Sequence, residues 1–186
     1  SPAEFFTSAS WDPSAQKFGA LSFIVGSVET TLLSVLIGAP LGLLGAVFLA
    51  KLAPVPLKRI MRPAVDLYVA IPSVVYGYIG LTVFVPFLRG AFQVPTGFGV
   101  LAASLVLAIM IMPTILSIST DALNAVPHPL EEASLALGAT WWQTMYHVVM
   151  PAAIPGIMTS LVLAMARAVG ETMAVQMLIG NTPLVA

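Results

Sequence analysis

Four stretches of this chain stay apolar for longer than the helices of a small soluble core need: about Leu21 to Ala50, Leu67 to Leu88, Phe98 to Ser119, and Val148 to Ile179. A bilayer core of about 30 Å is crossed by about 20 helical residues, so each stretch is long enough to span it. Only Glu29, Arg167 and Glu171 place charge inside these limits. With 59% hydrophobic and 8% charged residues, 186 residues cannot hide their apolar surface in one soluble core. Lipid is the natural solvent for such a chain, and the expected fold class is all-α, a polytopic transmembrane helical bundle.

Composition also removes several functional classes. The net charge is -1, and the one basic cluster is a short loop, which argues against nucleic acid as a partner. The absence of Cys removes disulfides, thiolate metal sites and Cys nucleophiles together. Residues 1–17 carry acidic Glu4 and Asp12 and a turn-like Trp11-Asp12-Pro13-Ser14, unlike the basic and then apolar start of a secretory signal. Residues 1–20 are therefore expected to form an extracytoplasmic segment internal to a longer chain.

The loop from Lys51 to Asp66 holds Lys51, Lys58, Arg59 and Arg62, four of the seven basic residues, and short basic loops face the cytoplasm. Parity then places the Arg89 to Gly97 loop outside, with Pro95-Thr96-Gly97 as its turn signal, and residues 120–147 inside. Small or hydroxyl residues recur every three or four positions along the spans. Ser27, Thr31, Ser34, Gly38, Gly42 and Gly45 form one such stripe; Ala70, Ser73, Gly77 and Gly80, and Gly156, Ser160 and Ala164, form others. Such stripes let helix backbones approach closely and are read as packing surfaces. Pro40, Pro72, Pro86, Pro113 and Pro155 each remove a backbone donor, so several spans are expected to kink or break.

The inner loop has its own grammar. Pro127-His128-Pro129 interrupts one helix, and a second, short helix restarts over Leu130, Glu131, Glu132, Ala133, Ser134, Leu135, Ala136 and Leu137, with acids in its first turn where they suit the helix dipole. Gly138 stands where a helix would stop, because glycine adopts the left-handed conformation without steric cost. Trp141 and Trp142 follow, and Met150-Pro151 is read as opening the next span. A slim surface helix joined through a glycine turn to a membrane helix can pass on a push from a soluble subunit. An interfacial helix anchored by tryptophans is the alternative reading.

Glu132-Ala133-Ser134, three residues, Gly138, nine residues, then Val148-Val149-Met150-Pro151 resembles the EAA loop of ABC importer permeases. Ser134 stands for the second Ala, and Val148 and Met150 for Ile and Leu. Ile71-Pro72-Ser73-Val74-Val75-Tyr76-Gly77, Ile111-Met112-Pro113-Thr114, residues 121–127 and Arg167-Ala168-Val169-Gly170-Glu171-Thr172-Met173-Ala174-Val175 resemble the PstC-type permeases of phosphate-specific ABC importers. Together these strings run through nearly the whole chain. The resemblance implies a type I ABC importer permease (MetI-like) fold of six helices, here lacking the first and last. It also implies a PstA-like sister permease, two copies of a PstB-like cytoplasmic ATPase that uses ATP and Mg, and a PstS-like extracytoplasmic phosphate-binding protein. Residues 130–138 and Pro151 would then couple to the ATPase, this chain binding no cofactor of its own.

Arg167 and Glu171 lie four residues apart, expected on one face of the last span and in line with Ser160 and Ala164. Ionisable groups inside a membrane are costly and usually face a bundle interior or a wet cavity. A guanidinium suits a phosphate oxyanion because its planar fork donates two hydrogen bonds at once. Arg167, Glu171, Ser73 and Thr172 are accordingly the expected substrate pathway; mutual pairing of Arg167 with Glu171 is the competing reading, and Glu29 is read as interfacial. Nothing in the sequence clusters a nucleophile, base or metal set within the bilayer, and the phosphate-binding string G-x-x-x-x-G-K-[ST] is missing, so ATP is expected on another chain. Other cargoes, such as molybdate or sulfate, and a channel stay open at this level.

Overall fold

A computed structural model of the chain describes residues 2–9, 11–12, 17–93 and 97–179. The turn signals at Pro13-Ser14 and Pro95-Thr96 lie outside the described residues. In chain order the elements are α1 (Pro2–Thr7), a two-stranded antiparallel ribbon of β1 (Trp11–Asp12) and β2 (Lys17–Phe18), then α2 (Leu21–Val47), α3 (Val55–Val69), α4 (Ser73–Ile79), α5 (Val85–Phe92), α6 (Val100–Asn124), α7 (His128–Ala136), α8 (Trp141–Thr144), α9 (Met150–Gly170) and α10 (Met173–Leu178). Single π-helical turns, Phe48–Leu52, Gly80–Phe84 and Met145–Val149, follow α2, α4 and α8. Four runs are long and apolar enough to cross a membrane: Leu21–Leu52, Ser73–Phe92, Val100–Asn124 and Trp141–Gly170.

These boundaries correct the sequence reading in three places. The expected Leu67 to Leu88 span begins instead at Ser73, because Leu67 to Val69 close α3 and Pro72, extended at ψ 138°, starts the next helix. The basic segment expected as a loop is mostly helical, as α3, and Arg89 lies inside α5, which ends at Gln93 in the left-handed conformation (φ 53°). The last span starts at Trp141 rather than Val148, so Pro151 lies within it, and it stops at Gly170 rather than running on to Ile179.

Each π turn ends two residues before a proline: Leu52 before Pro54, Phe84 before Pro86, Val149 before Pro151. The cause is steric. In an α-helix a proline ring collides with the carbonyl four residues back and offers it no proton. Widening the turn lets the residue before the proline donate five residues back instead: Ala53 to Phe48, Val85 to Gly80, and Met150 to Met145. The Ala50 carbonyl, which Pro54 cannot serve, accepts a hydrogen bond from Lys58 Nζ at 2.8 Å. Pro40, Pro113 and Pro155 lie inside α2, α6 and α9 with the helix continuing through them.

The chain divides into two compact units. The first comprises Ser1–Leu36, Pro72–Ala108 and Ala168–Ala186. Here α10 packs on α4, with Ala174 and Leu178 fully buried. A Cβ on Gly77 would lie 3.1 Å from Ala174 Cα, so the small-residue stripe of the second span serves this contact. Ser104 Oγ donates to Val100 O at 2.6 Å and also reaches Thr30 O at 3.3 Å, tying α6 to α2. Trp11 of the ribbon stands edge-on to Phe18 and to Phe23, at centroid distances of 5.3 and 5.4 Å.

The second unit comprises Ile37–Ile71 and Ile109–Arg167. Its core joins Ala46 and Ala50 of the first span to Leu123, Val126, Met145, Val149, Ala153 and Ile157, with Leu43, Val47 and Met150 packed against them. The buried hydroxyls of Ser119 and Ser160 bond each other at 2.8 Å, which satisfies two polar groups where no water is at hand. Outward-facing Leu36, Leu44 and Phe87 are 70%, 68% and 67% exposed, which suits surfaces bathed in lipid or covered by apolar helices.

Close packing at small residues is directly testable at Gly156, where an added Cβ would lie 2.4 Å from Ala122 Cβ. Overpacking of this kind costs about 1–3 kcal/mol, so Gly156→Ala is expected to lower the thermal unfolding midpoint in detergent. Gly26 is the control: nothing lies within 4 Å of its Cβ position. Relieving glycine's backbone entropy in a helix is worth about 0.5–1 kcal/mol, so Gly26→Ala should leave the midpoint unchanged or raise it.

Candidate functional site

The short helix between the third and fourth spans forms where its sequence signals place it. Pro127, extended at φ -61° and ψ 129°, ends the preceding turn, Pro129 sits in the first turn of α7 where a missing N–H is harmless, and Glu131 faces the positive end of the helix. At the other end Gly138 takes φ +84°. Gly138 N–H donates to Leu135 O at 3.0 Å and Ala139 N–H to Ser134 O at 3.3 Å, the paired bonds of a Schellman close. Thr140 then caps α8: its Oγ1 accepts from Gln143 N–H at 3.3 Å while its own N–H donates to Gln143 Oε1 at 2.7 Å. This capping box was legible as T-x-x-Q at residues 140–143 and is what starts the last span seven residues before Val148.

No residue of α7 is buried. Leu130 and Leu135 are both 46% exposed and Leu137 is 89% exposed; Glu132, Ala133, Ala136 and Gly138 are exposed as well. Glu131 and Ser134 are the half-buried members, and each is bonded to another element. Lys51 Nζ donates to Glu131, and the Ser134 and Thr144 hydroxyls bond at 2.9 Å. Beside this surface Trp141, Trp142 and Tyr146 form an exposed aromatic ridge, with Trp141 edge-on to Trp142 at 4.8 Å and Trp142 stacked with Tyr146 at 6.2 Å. Pro151 is exposed and lies two residues beyond the π turn it imposes. The arrangement is a slim, apolar, outward ledge held by two polar fastenings.

Among the expected pathway residues, Arg167 is half-buried on α9. Its Nη1 donates to Thr114 Oγ1 at 3.2 Å and its Nη2 to Val69 O at 3.4 Å. Val69 is the last residue of α3, so its carbonyl belongs to the electronegative helix end that lacks intrahelical donors. Both partners are uncharged, so these bonds orient the guanidinium without cancelling its charge. Sequence reasoning did not name Thr114 as a partner, although it lies in the Ile111-Met112-Pro113-Thr114 string.

Glu171 departs from expectation. The continuous helix that would set it one turn above Arg167 ends at Gly170, a weak helix former, and Glu171 Oε1 instead accepts from Ala174 N–H at 3.3 Å, in the first turn of α10. Thr172 precedes α10 and is exposed; Ser73 opens α4 and is half-buried. Arg167 belongs to the second compact unit, with Thr114 and Val69, whereas Ser73, Glu171 and Thr172 belong to the first.

The Schellman close makes Gly138 the most substitution-sensitive point of the loop by backbone alone. Left-handed backbone costs an ordinary L-residue about 1–2 kcal/mol, which asparagine partly avoids. Gly138→Val is expected to speed amide hydrogen exchange at Gly138-equivalent and Ala139 N–H groups and to lower thermal stability, with Gly138→Asn in between; equal exchange in all three proteins would contradict this account.

Residues 18–186 match the family model described as "Binding-protein-dependent transport system inner membrane component". Among curated relatives, the chain is 54% identical to the "Probable ABC transporter permease protein YqgH" of Bacillus subtilis, over 98% of this chain and 60% of that protein. It is 42% identical to the "Phosphate transport system permease protein PstC" of Mesorhizobium japonicum, over 95% of this chain and 60% of that protein. The chain thus spans about three fifths of the length of these relatives. A solved structure titled "Inward facing conformations of the MetNI methionine ABC transporter" matches with a TM-score of 0.60 at 27% identity, covering 82% of this chain and 68% of that one. Four membrane-crossing helices, the MetI-like fold and the family match agree on a multi-pass membrane protein, and the chain belongs to the binding-protein-dependent transport system inner membrane components, the permeases of ABC importers.

Proposed function

We propose that this chain is the membrane-spanning core of a permease subunit that imports inorganic phosphate at the expense of ATP hydrolysed on another chain. The single observation that carries the anion reading is Arg167: a half-buried guanidinium held by a hydroxyl and a helix-end carbonyl, neither of which neutralises it. A cation so positioned attracts an oxyanion, and its remaining donors can meet two oxygens at once. The relatives named PstC support phosphate as that anion.

The coupling end follows the same logic. The outward ledge of α7, with Leu130, Leu135 and Leu137 uncovered, is the surface offered to a PstB-like cytoplasmic ATPase dimer, and Gly138 hinges it to the last span. Closure of that dimer on ATP and Mg moves the ledge, and the spans switch between outward-open and inward-open arrangements. A PstA-like sister permease completes the path and a PstS-like extracytoplasmic protein delivers phosphate. In this scheme the basic segment of α3 lies on the cytoplasmic side. Glu171, by capping α10, keeps its carboxylate engaged with backbone, which suits a neighbour of an anion path better than a free negative charge.

An arginine recognises any tetrahedral oxyanion, so molybdate or sulfate is the rival cargo. The test is ATP-driven uptake by the full-length permease with its partner subunits in proteoliposomes, with each anion in competition. Phosphate is expected to be carried and to resist excess sulfate and molybdate. Arg167→Ala is expected to abolish uptake while the complex still assembles; normal uptake by that variant rejects the pathway role, and preference for another anion rejects the cargo. Cysteines placed along residues 130–137 of this cysteine-free chain should cross-link to the ATPase.

A further inference from the structure

We propose that Lys51 and Glu131 act as a strut that passes displacement of α7 into the first membrane span, an inference that rests on the coupling role of α7 proposed above. The helix has no buried residue of its own, so its position is set by what its two ends hold. At its last turn Ser134 is bonded to Thr144 of α8, and the chain itself continues from Gly138 into the last span. At its first turn Glu131 is bonded to Lys51, eighty residues earlier, in the π turn that ends the first span. One end of the lever is therefore fixed covalently and by a hydroxyl pair to the last span. The other end follows α6 through Ala125, Val126 and Pro127, and reaches the first span through a charge pair.

Two features set this pair apart from an ordinary surface bridge. The Lys51 and Glu131 side chains are 12% and 19% exposed, against 57% and 63% for Arg62 and Asp121 in the other ion pair among the described residues. The exposed pair is screened by water and salt, whereas a shielded pair keeps more of its attraction and its geometry. The apolar core next to it joins Ala46 and Ala50 of the first span, with Leu43 and Val47 packed alongside, to Leu123, Val126, Met145 and Val149, and no residue of α7 belongs to it. The polar link between α7 and the first span is therefore carried by Lys51 and Glu131. The neighbouring Lys58 is occupied with the Ala50 carbonyl and cannot substitute.

The experiment uses the full-length permease assembled with its partner subunits in proteoliposomes, comparing wild type, Lys51→Ala, Glu131→Ala and the charge-swapped K51E/E131K. Phosphate uptake per ATP hydrolysed is measured alongside the spectrum of a spin label at Phe48→Cys, an exposed position in the same π turn, with and without ATP and vanadate. The single variants are expected to assemble and hydrolyse ATP while uptake per ATP falls about tenfold and the label stops responding to nucleotide. The swap is expected to restore both readouts to within about threefold of wild type. Wild-type uptake per ATP or an unchanged label response in the single variants overturns the strut, as does a swapped pair that restores neither. If the single variants fail to assemble, a swap that does not restore assembly overturns it too. A wild-type complex whose label responds to nucleotide but which carries no phosphate rejects the cargo alone, and the strut is then judged on the label.

Discussion

Inside the bilayer core there is no water to satisfy a stray backbone amide or carbonyl, and much of this chain's architecture follows from meeting that demand in spite of fifteen prolines. Three of them are preceded by a widened turn that moves one donor five residues back, and the Ala50 carbonyl left over at the first is taken by Lys58. The Gly138 close and the Thr140 cap do the same work at helix ends outside the core, where orphaned groups would otherwise need solvent. Hydroxyls complete the pattern: Thr30, Ser34, Ser104, Thr120 and Ser160 each return a proton to a carbonyl three or four residues back in their own helix.

Charge is distributed with similar economy. Few ionised groups are present, and those that are shielded have assigned tasks. Lys51 holds α7, Lys58 mends a proline break, and Arg167 is presented by neutral partners rather than quenched by an acid. The positive segment from Lys51 to Arg62 also fastens the structure, since Lys51 and Arg62 find their acids on the segment from Asp121 to Glu131.

Much of this was legible from residues alone. Long apolar runs announced four spans, since hydropathy summed over twenty positions is insensitive to local detail, and the small-residue stripe from Thr31 through Gly42 is buried as its period implied. Pro127 and Gly138 marked α7 to within one or two residues because caps are local chemistry. What misled was also local: hydropathy ran through Leu67 to Val69 and through Gly170, and a helical period was carried across Glu171. There a backbone bond to Ala174 and the low helix propensity of glycine favoured a break. The early start of the last span at Trp141 was overlooked although the Thr140 to Gln143 signal for it was present.

By itself, then, the sequence determined the solvent, the number of crossings, the place of the surface helix and the residue that ends it, because each depends on neighbours within a turn or two. Only the tertiary structure decided that Lys51 meets Glu131, that Arg167 rests on Thr114 and Val69, and that Ser119 bonds Ser160. Those pairs are separated by 80, 53, 98 and 41 positions. No periodicity encodes them. They exist because packed helices bring particular turns side by side, and in a medium without water a polar group takes whichever partner that packing delivers.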